Sequence, residues 1–176
     1  VYHHVGRIKK KFRNKKKPIV IITGCVAQAE GDLILEKEKY IDAVIGPQSY
    51  HKFNETLLKI EKDKTKLNFT DFNTIDKFDK LNQNKNSNSN VSSFLTIQEG
   101  CDKFCNFCVV PYTRGAEFSR SFDELISESN DLANNGVKEI TLLGQNVNAY
   151  NFEGKKLSNL IREIEKIKKI DRIRYT

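Results

Sequence analysis

Residues 99–120 read EGCDKFCNFCVVPYTRGAEFSR, and this stretch holds three of the chain's four cysteines in the spacing C-x3-C-x2-C. Three cysteines so close together are hard to explain as core residues. Thiolates bind soft metals, so the spacing predicts zinc or an iron–sulfur cluster. A closed structural zinc site needs four ligands, whereas three ligands would leave one metal position open to a substrate.

The sequence around this cysteine loop alternates strands and helices. SFLTIQEG (93–100) predicts a strand that leads into the cysteines, VKEITLLG (137–144) predicts a second strand, and RIRYT (172–176) begins a third. Ligand sites of parallel α/β folds gather at the carboxyl ends of strands. We therefore expect residues 101–108 and 144–148, which follow the first two strands, to open on the same face and share one site.

Two helices are predicted between these strands. The first has a capping box at 121–124, with Ser121 as the cap and Glu124 three residues later, and it stops at Asn135-Gly136. Apolar and small residues line one face of each helix and are assigned to the core. They are Phe122, Leu125, Ile126, Ser129, Leu132 and Ala133 in the first helix, and Leu160, Ile161, Ile164 and Ile167 in the second.

The first third of the chain also alternates strands and helices. PIVIITGC (18–25) predicts a buried parallel strand, 27–40 a helix and DAVIG (42–46) a second strand. A second helix follows, and the residues at helical spacing on its expected apolar face are Tyr50, Phe53, Leu57 and Ile60. The Asn- and Ser-rich segment that comes next is typical of a linker. We predict a first domain over 1–62, a linker over 63–92 and a second domain over 93–176.

Composition limits the classes of partner. The net charge is +7, and eight of the eleven residues in 7–17 are basic. This basic run is either a footprint for a polyanion such as RNA or a solvated helix end and loop.

No apolar run reaches the roughly 20 residues that span a bilayer, and no signal peptide is recognisable, so no membrane partner is expected. Because the chain lacks an initiator methionine and contains no methionine at all, we expect it to start within a longer protein.

Three blocks of sequence carry a family resemblance. They are the cysteine loop with Phe107 just before its last cysteine, GCVAQ at 24–28, and LLGQNVNAY at 142–150. Together and in this order they resemble the radical S-adenosylmethionine tRNA methylthiotransferases, and most of all the MiaB type, which acts on isopentenylated adenosine next to the anticodon. The cysteine spacing alone is shared by a very large superfamily, whereas the three blocks together are highly specific.

The resemblance implies an α/β architecture in parts. Residues 1–62 would be the C-terminal part of the methylthiotransferase N-terminal α/β domain. Residues 93–176 would be the first part of a radical-SAM partial (β/α) barrel, and 63–92 the linker between them. The family's barrel has about six βα units, its N-terminal domain has two further cysteines, and it ends in an RNA-binding domain. The resemblance therefore implies that the chain is a central fragment, incomplete as an isolated enzyme.

The resemblance also implies the metal ligands. Cys101, Cys105 and Cys108 would hold a [4Fe–4S] cluster whose fourth iron chelates S-adenosylmethionine. Cys25 would be one of three ligands of a second, auxiliary [4Fe–4S] cluster that takes part in sulfur insertion. Judged without the resemblance, Cys25 is a buried thiol more often than a ligand.

The cofactor-binding residues follow from the same resemblance. Phe107 would lie near the adenine of S-adenosylmethionine, and Gly144 and Gln145 would help to hold its methionine end. Arg114 and Arg120 could pair with a carboxylate or phosphate, or could be ordinary surface arginines. The expected partners are tRNA, S-adenosylmethionine and an electron donor protein, with the enzyme cytoplasmic and monomeric.

Two other interpretations remain open at this point. One is a non-catalytic zinc module in which Cys25 joins the other three cysteines. The other is an inactive remnant of such an enzyme.

Overall fold

A computed structural model describes residues 1–63, 65–71 and 91–176. The described residues fall into two compact units. The first comprises 1–63 and 65–71 together with Tyr112–Arg114, and the second comprises 91–111 and 115–176. The domain boundaries deduced from the sequence stay a prediction.

The first unit is a parallel sheet with helices. Its strands are β1 (Ile21–Thr23), β2 (Ala43–Ile45) and β3 (Leu67–Phe69), in the order β1-β2-β3. Its helices are α1 (Tyr2–Lys11), α2 (Cys25–Lys37) and α3 (Phe53–Asp63), and a 3-10 helix at Pro47–Lys52 precedes α3. Both β1 and β3 pair with β2 in parallel. The expected strand–helix–strand alternation is confirmed, with shorter strands.

The core of the first unit forms where the apolar face of α2 meets β2. Ile34 and Val44 are fully buried, and burial of such a side chain contributes roughly 1.5–3 kcal/mol. Gly31 interrupts α2 with a φ of +39°, a conformation that glycine adopts at no steric cost. The buried cluster consists of Val5, Val20, Ala27, Ile34, Leu35, Ile41 and Val44.

The expected apolar face of the second helix was partly wrong. Ile60 is buried, but Tyr50 and Phe53 are 45% and 40% exposed. For Tyr50 the reason is local geometry, because it lies in the 3-10 helix, whose three residues per turn do not continue the face of an α-helix. Phe53 is the first residue of α3. Thr56 takes the buried position instead, and its hydroxyl donates to the carbonyl of Lys52 at 2.8 Å.

The first part of the predicted linker contains a β-strand. Residues 67–69, which fall within it, form β3 and pair with β2. Residues 64 and 72–90, and with them most of the predicted linker, lie outside the described residues.

The second unit is built on a three-stranded parallel sheet. Its strands are β4 (Ser92–Thr96), β7 (Glu139–Leu143) and β10 (Arg172–Tyr175), in the order β10-β7-β4. Two short antiparallel ribbons pair β5 (Gln98–Glu99) with β6 (Phe118–Ser119), and β8 (Asn151–Phe152) with β9 (Lys155–Lys156). The short helix α4 (Val110–Arg114) begins in this unit, but its last three residues group with the first unit. The helices α5 (Phe122–Asn134) and α6 (Leu157–Glu165) and a 3-10 helix at Val147–Ala149 belong to the second unit.

The helix faces predicted in the second unit are confirmed. Leu125 on α5, Leu160 on α6 and Ile140 on β7 are fully buried in one core cluster. Ile167 lies beyond the end of α6 and packs against this cluster as a partly buried residue. The central strand β7 is thus fixed by helices that the sequence predicted.

The predicted capping box is not formed. Ser121 is the N-cap residue of α5, but its side chain makes no capping hydrogen bond. The buried Phe122 begins the helix, and Lys155 lies 4.3 Å from the centre of its ring and 3.8 Å from the carboxylate of Asp123. These contacts and the acidic first turn account for the helix start without the box. At the other end, Gly136 has a φ of +93°, as the predicted stop requires.

Within the described residues, no helix is both long and apolar enough to cross a bilayer.

Candidate metal and cofactor site

The cysteine loop is closed at its base by backbone pairing. Gln98 and Glu99 pair antiparallel with Ser119 and Phe118, and the backbone N–H of Cys101 donates to the carbonyl of Gly115 at 3.2 Å. These bonds connect the carboxyl end of β4 to the chain that returns from the cysteines. The loop is therefore anchored at both ends by the protein's own backbone.

Gly100 is required at the start of this loop. Its φ is +78°, and a Cβ added there would lie 2.0 Å from the carbonyl oxygen of Ala116. A real Cβ does not approach a backbone oxygen so closely, so the returning chain can pass Gly100 only because it lacks a side chain.

The three loop cysteines are free thiols with different exposure. Cys101 is buried, Cys105 is exposed and Cys108 is intermediate. The N–H of Cys108 donates to the carbonyl of Cys105 at 2.9 Å, which forms a turn between them. In the described part of the chain, no three His, Cys, Asp or Glu side chains are already arranged to hold a metal ion. The loop fits an iron–sulfur cluster through its donor chemistry, because three thiolates on one short loop suit iron and leave one iron open.

Phe107 is the most exposed large apolar residue near the cysteines. It is 93% exposed, and Phe104, at a φ of +45°, is 60% exposed. An aromatic ring beside Cys108 can offer its face to a planar ligand. The role expected for Phe107 beside an adenine stays a prediction.

The loop after β7 lies against the start of the cysteine loop. β4 and β7 are adjacent parallel strands, so their carboxyl ends meet at one edge of the sheet. The side-chain oxygen of Gln145 accepts from the N–H of Gly100 at 2.8 Å. A Cβ on Gly144 would lie 2.7 Å from the side-chain oxygen of Gln98. The structure thus brings together the two loops that the sequence predicted to share a site.

Gln98 is a polar residue that the sequence did not single out. It is fully buried, and its side-chain N–H donates to the carbonyl of Gly100 at 2.8 Å. Its oxygen accepts from the N–H of Asn146 at 3.1 Å. The only signal in the sequence is a glutamine that follows the apolar run of a predicted strand.

Arg120 has an internal partner rather than an external one. It is 4% exposed, its guanidinium pairs with Glu128 at 2.8 Å, and it donates to the carbonyl of Thr96 at 2.9 Å. Tyr150 donates to the carbonyl of Arg120 at 3.0 Å, and burial raises the pKa of Tyr150 to about 12. Arg120 therefore connects the end of β6 to β4. The carboxylate that it was expected to pair with is that of Glu128 in this chain.

Cys25 lies in the first unit, at the start of α2. It is half-buried and follows Gly24, whose φ is +95°. Nε of Arg114, a residue that groups with this unit, donates to the sulfur of Cys25 at 3.3 Å. Gln48, also buried in this unit, donates to the carbonyl of Arg114 at 2.9 Å. Hydrogen bonds of this kind hold a sulfur in place and, in iron–sulfur proteins, tune the metal.

Comparison with known proteins agrees with the loop chemistry. Residues 95–176 match the domain family described as the radical SAM superfamily. Along its whole length the chain is 62% identical to a tRNA-2-methylthio-N(6)-dimethylallyladenosine synthase of Pelagibacter ubique. Proteins of the same name from a Wolbachia of Culex pipiens and from Cereibacter sphaeroides are 51% and 49% identical to it, again over the whole chain. The chain spans about 40% of the length of these curated relatives.

The close approach at Gly100 predicts a large effect of one methyl group. Gly100→Ala introduces both an unfavourable φ and an overlap with Ala116, so we expect it to lower the free energy of unfolding by clearly more than the 1–2 kcal/mol typical of a left-handed backbone alone. We also expect faster labelling of the buried Cys101 thiol by a disulfide reagent. Urea unfolding and thiol labelling measure the two effects.

Gly136→Ala is the matched control. Gly136 also has a positive φ, but a Cβ there would meet no atom within 4 Å. Equal losses of stability in the two variants, with unchanged labelling of Cys101, would contradict the tight passage at Gly100.

Proposed function

We propose, from the premise that this chain belongs to the radical S-adenosylmethionine tRNA methylthiotransferase family, that it is part of an enzyme that adds a methylthio group at C2 of N6-isopentenyladenosine near the anticodon. The observation that carries the proposal is the loop of three free cysteines at the carboxyl end of β4, against the loop that follows β7. The whole-chain similarity to proteins named for this reaction supports it.

The residues of the cysteine loop would hold the radical-generating group. Cys101, Cys105 and Cys108 would bind a [4Fe–4S] cluster, and the backbone pairing at the base of the loop would keep their spacing. When bound, the cluster and S-adenosylmethionine would supply reductive cleavage of the sulfonium, which yields a 5′-deoxyadenosyl radical that removes a hydrogen from the adenine. The protein's part is to bind, orient and shield the reacting groups.

Three further residues would bind S-adenosylmethionine. The exposed ring of Phe107 would stack near the adenine, and Gly144 would let the methionine end approach the backbone. The oxygen of Gln145 already accepts from Gly100, and an amide that accepts through its oxygen can still donate to a carboxylate through Nε2.

Cys25 would serve the second step, sulfur insertion. It would be one of three cysteine ligands of an auxiliary [4Fe–4S] cluster, and Arg114 would hydrogen-bond its sulfur. The 176 residues hold four cysteines, so the other two ligands would come from elsewhere in the whole protein. A second S-adenosylmethionine would supply the methyl group.

The finer architecture is part of the same proposal. Residues 1–62 would belong to the methylthiotransferase N-terminal domain and 93–176 to a partial (β/α) barrel. The enzyme would work on tRNA in the cytoplasm as a monomer, with electrons from a donor protein.

Nucleoside analysis tests the proposed reaction. The full-length protein that contains this chain, expressed in bacteria unable to make 2-methylthio-N6-isopentenyladenosine, should restore that nucleoside in hydrolysed tRNA. Cys105→Ala should abolish it, because the cluster loses a ligand, whereas Glu124→Ala on the exposed side of α5 should not. Mass spectrometry detects the product, and its persistence in the Cys105 variant would contradict the assigned role of the loop.

The basic run predicts a surface for tRNA phosphates. In the structure Lys9 bonds to Glu38 and holds the pKa of that carboxyl below its usual value, and Lys17 pairs with Asp42. The exposed residues between them are the better candidates for phosphate contacts, and they are Lys10, Lys11, Arg13, Lys15 and Lys16. Changing Lys10, Lys11 and Arg13 together to Gln should reduce the salt slope of tRNA binding by up to about 0.7–0.9 per lost contact.

Three lysines on other surfaces provide the charge-matched control. Lys37, Lys59 and Lys62 changed together to Gln remove as many charges from α2 and α3. If both triple variants bind tRNA with the slope of the unchanged protein, residues 7–17 are a solvated helix end and not a tRNA contact.

A further inference from the structure

The amide of Gln98 links two segments that meet at the carboxyl ends of β4 and β7. Its nitrogen donates to the carbonyl of Gly100, the residue before the first loop cysteine. Its oxygen accepts from the N–H of Asn146, within the loop after β7. One side chain therefore holds both loops through opposite ends of a single amide group.

The surroundings of Gln98 leave it little freedom. The side chain is fully buried, and Gly144 passes so close that an added Cβ would lie 3.1 Å from both Cβ and the carbonyl oxygen of Gln98. Gln145 adds a parallel link, since its oxygen accepts from the N–H of Gly100 at 2.8 Å. Gly100 thus has its N–H held by one glutamine and its carbonyl held by another.

The position of this link matters more than its energy. A hydrogen bond of this kind contributes about 1 kcal/mol to folding, so losing it alone need not unfold the protein. Cys101 directly follows Gly100, however, and Gly144 and Gln145 directly precede Asn146. A small shift at either end would separate the proposed cluster loop from the proposed methionine-binding loop, and misplacement of about 1 Å can cost two orders of magnitude in rate.

We propose that Gln98 is a positioning residue that sets the distance and orientation of the cysteine loop relative to the loop after β7, so that a ligand bound by both loops depends on it. The inference rests on the proposed function in taking that ligand to be S-adenosylmethionine. Gln98 itself need not touch the ligand.

The test uses the reconstituted full-length protein and the variant Gln98→Leu, which has a similar volume and no hydrogen bonds. We expect iron content close to that of the unchanged protein and a KM for S-adenosylmethionine, measured as 5′-deoxyadenosine formation, raised about tenfold or more. Gln98→Glu keeps an acceptor for Asn146 but turns its second oxygen toward the carbonyl of Gly100, so the KM of this variant should also rise. Ser129→Ala, which removes a buried hydrogen bond inside α5, should leave the KM unchanged.

Three results would overturn the positioning role. One is an unchanged KM in Gln98→Leu, and another is an equal rise in Ser129→Ala, which would indicate general loss of stability. Loss of the iron itself in Gln98→Leu would also overturn it, because Gln98 would then only build the cysteine loop.

Hydrogen exchange separates this inference from the proposed function. In Gln98→Leu the N–H of Asn146 should exchange at least tenfold faster, with no comparable change at Leu125 in α5. This readout needs no S-adenosylmethionine. If the unchanged protein bound no S-adenosylmethionine, the proposed function would fail. Faster exchange at Asn146 in Gln98→Leu would still support the link between the two loops. Unchanged exchange at Asn146 in that variant would overturn the link.

Discussion

The parallel pairing of β4 with β7 is the constraint on which the candidate site depends. Leu95 lies opposite Leu142 in this pair, and both side chains are fully buried in the core of the second unit. Because the two strands run in the same direction, the chain leaves both of them at the same edge of the sheet. The cysteine loop follows one strand and the Gly144–Asn146 loop follows the other, so the core fixes where both loops start.

Beyond the strand ends, contact between the two loops is maintained by two glycines and two glutamine amides, of which only that of Gln98 is fully buried. Gly100 and Gly144 lie so close to neighbouring atoms that a side chain at either position would clash. The side chains of Gln98 and Gln145 form hydrogen bonds between the two loops. Rigid support of this kind is what a site with three thiolates and an open metal position needs, because the thiolates themselves are on a loop. Arg120, buried with its partner Glu128, strengthens the returning side of the same loop.

Much of this arrangement could be predicted from the sequence, and the rest could not for identifiable physical reasons. Apolar runs and the helical spacing of apolar residues predict the alternation of strands and helices, which the structure has. The cysteine spacing predicts a metal site, and that stays a prediction. The exposure of Tyr50 was not predictable, because a 3-10 turn changes the periodicity on which the expected face depended. The role of Gln98 depends on Asn146, 48 residues away, and a partner so distant leaves no pattern in the local sequence.

The central claim is that three loop cysteines, without Cys25, hold an iron–sulfur cluster with an open iron. Anaerobic reconstitution of the 176-residue chain with iron and sulfide, followed by metal and sulfide analysis, tests it most directly. The account predicts about one [4Fe–4S] cluster per chain, lost in Cys105→Ala and retained in Cys25→Ala. Stoichiometric zinc binding that requires Cys25 would contradict the account and establish a four-cysteine zinc module instead.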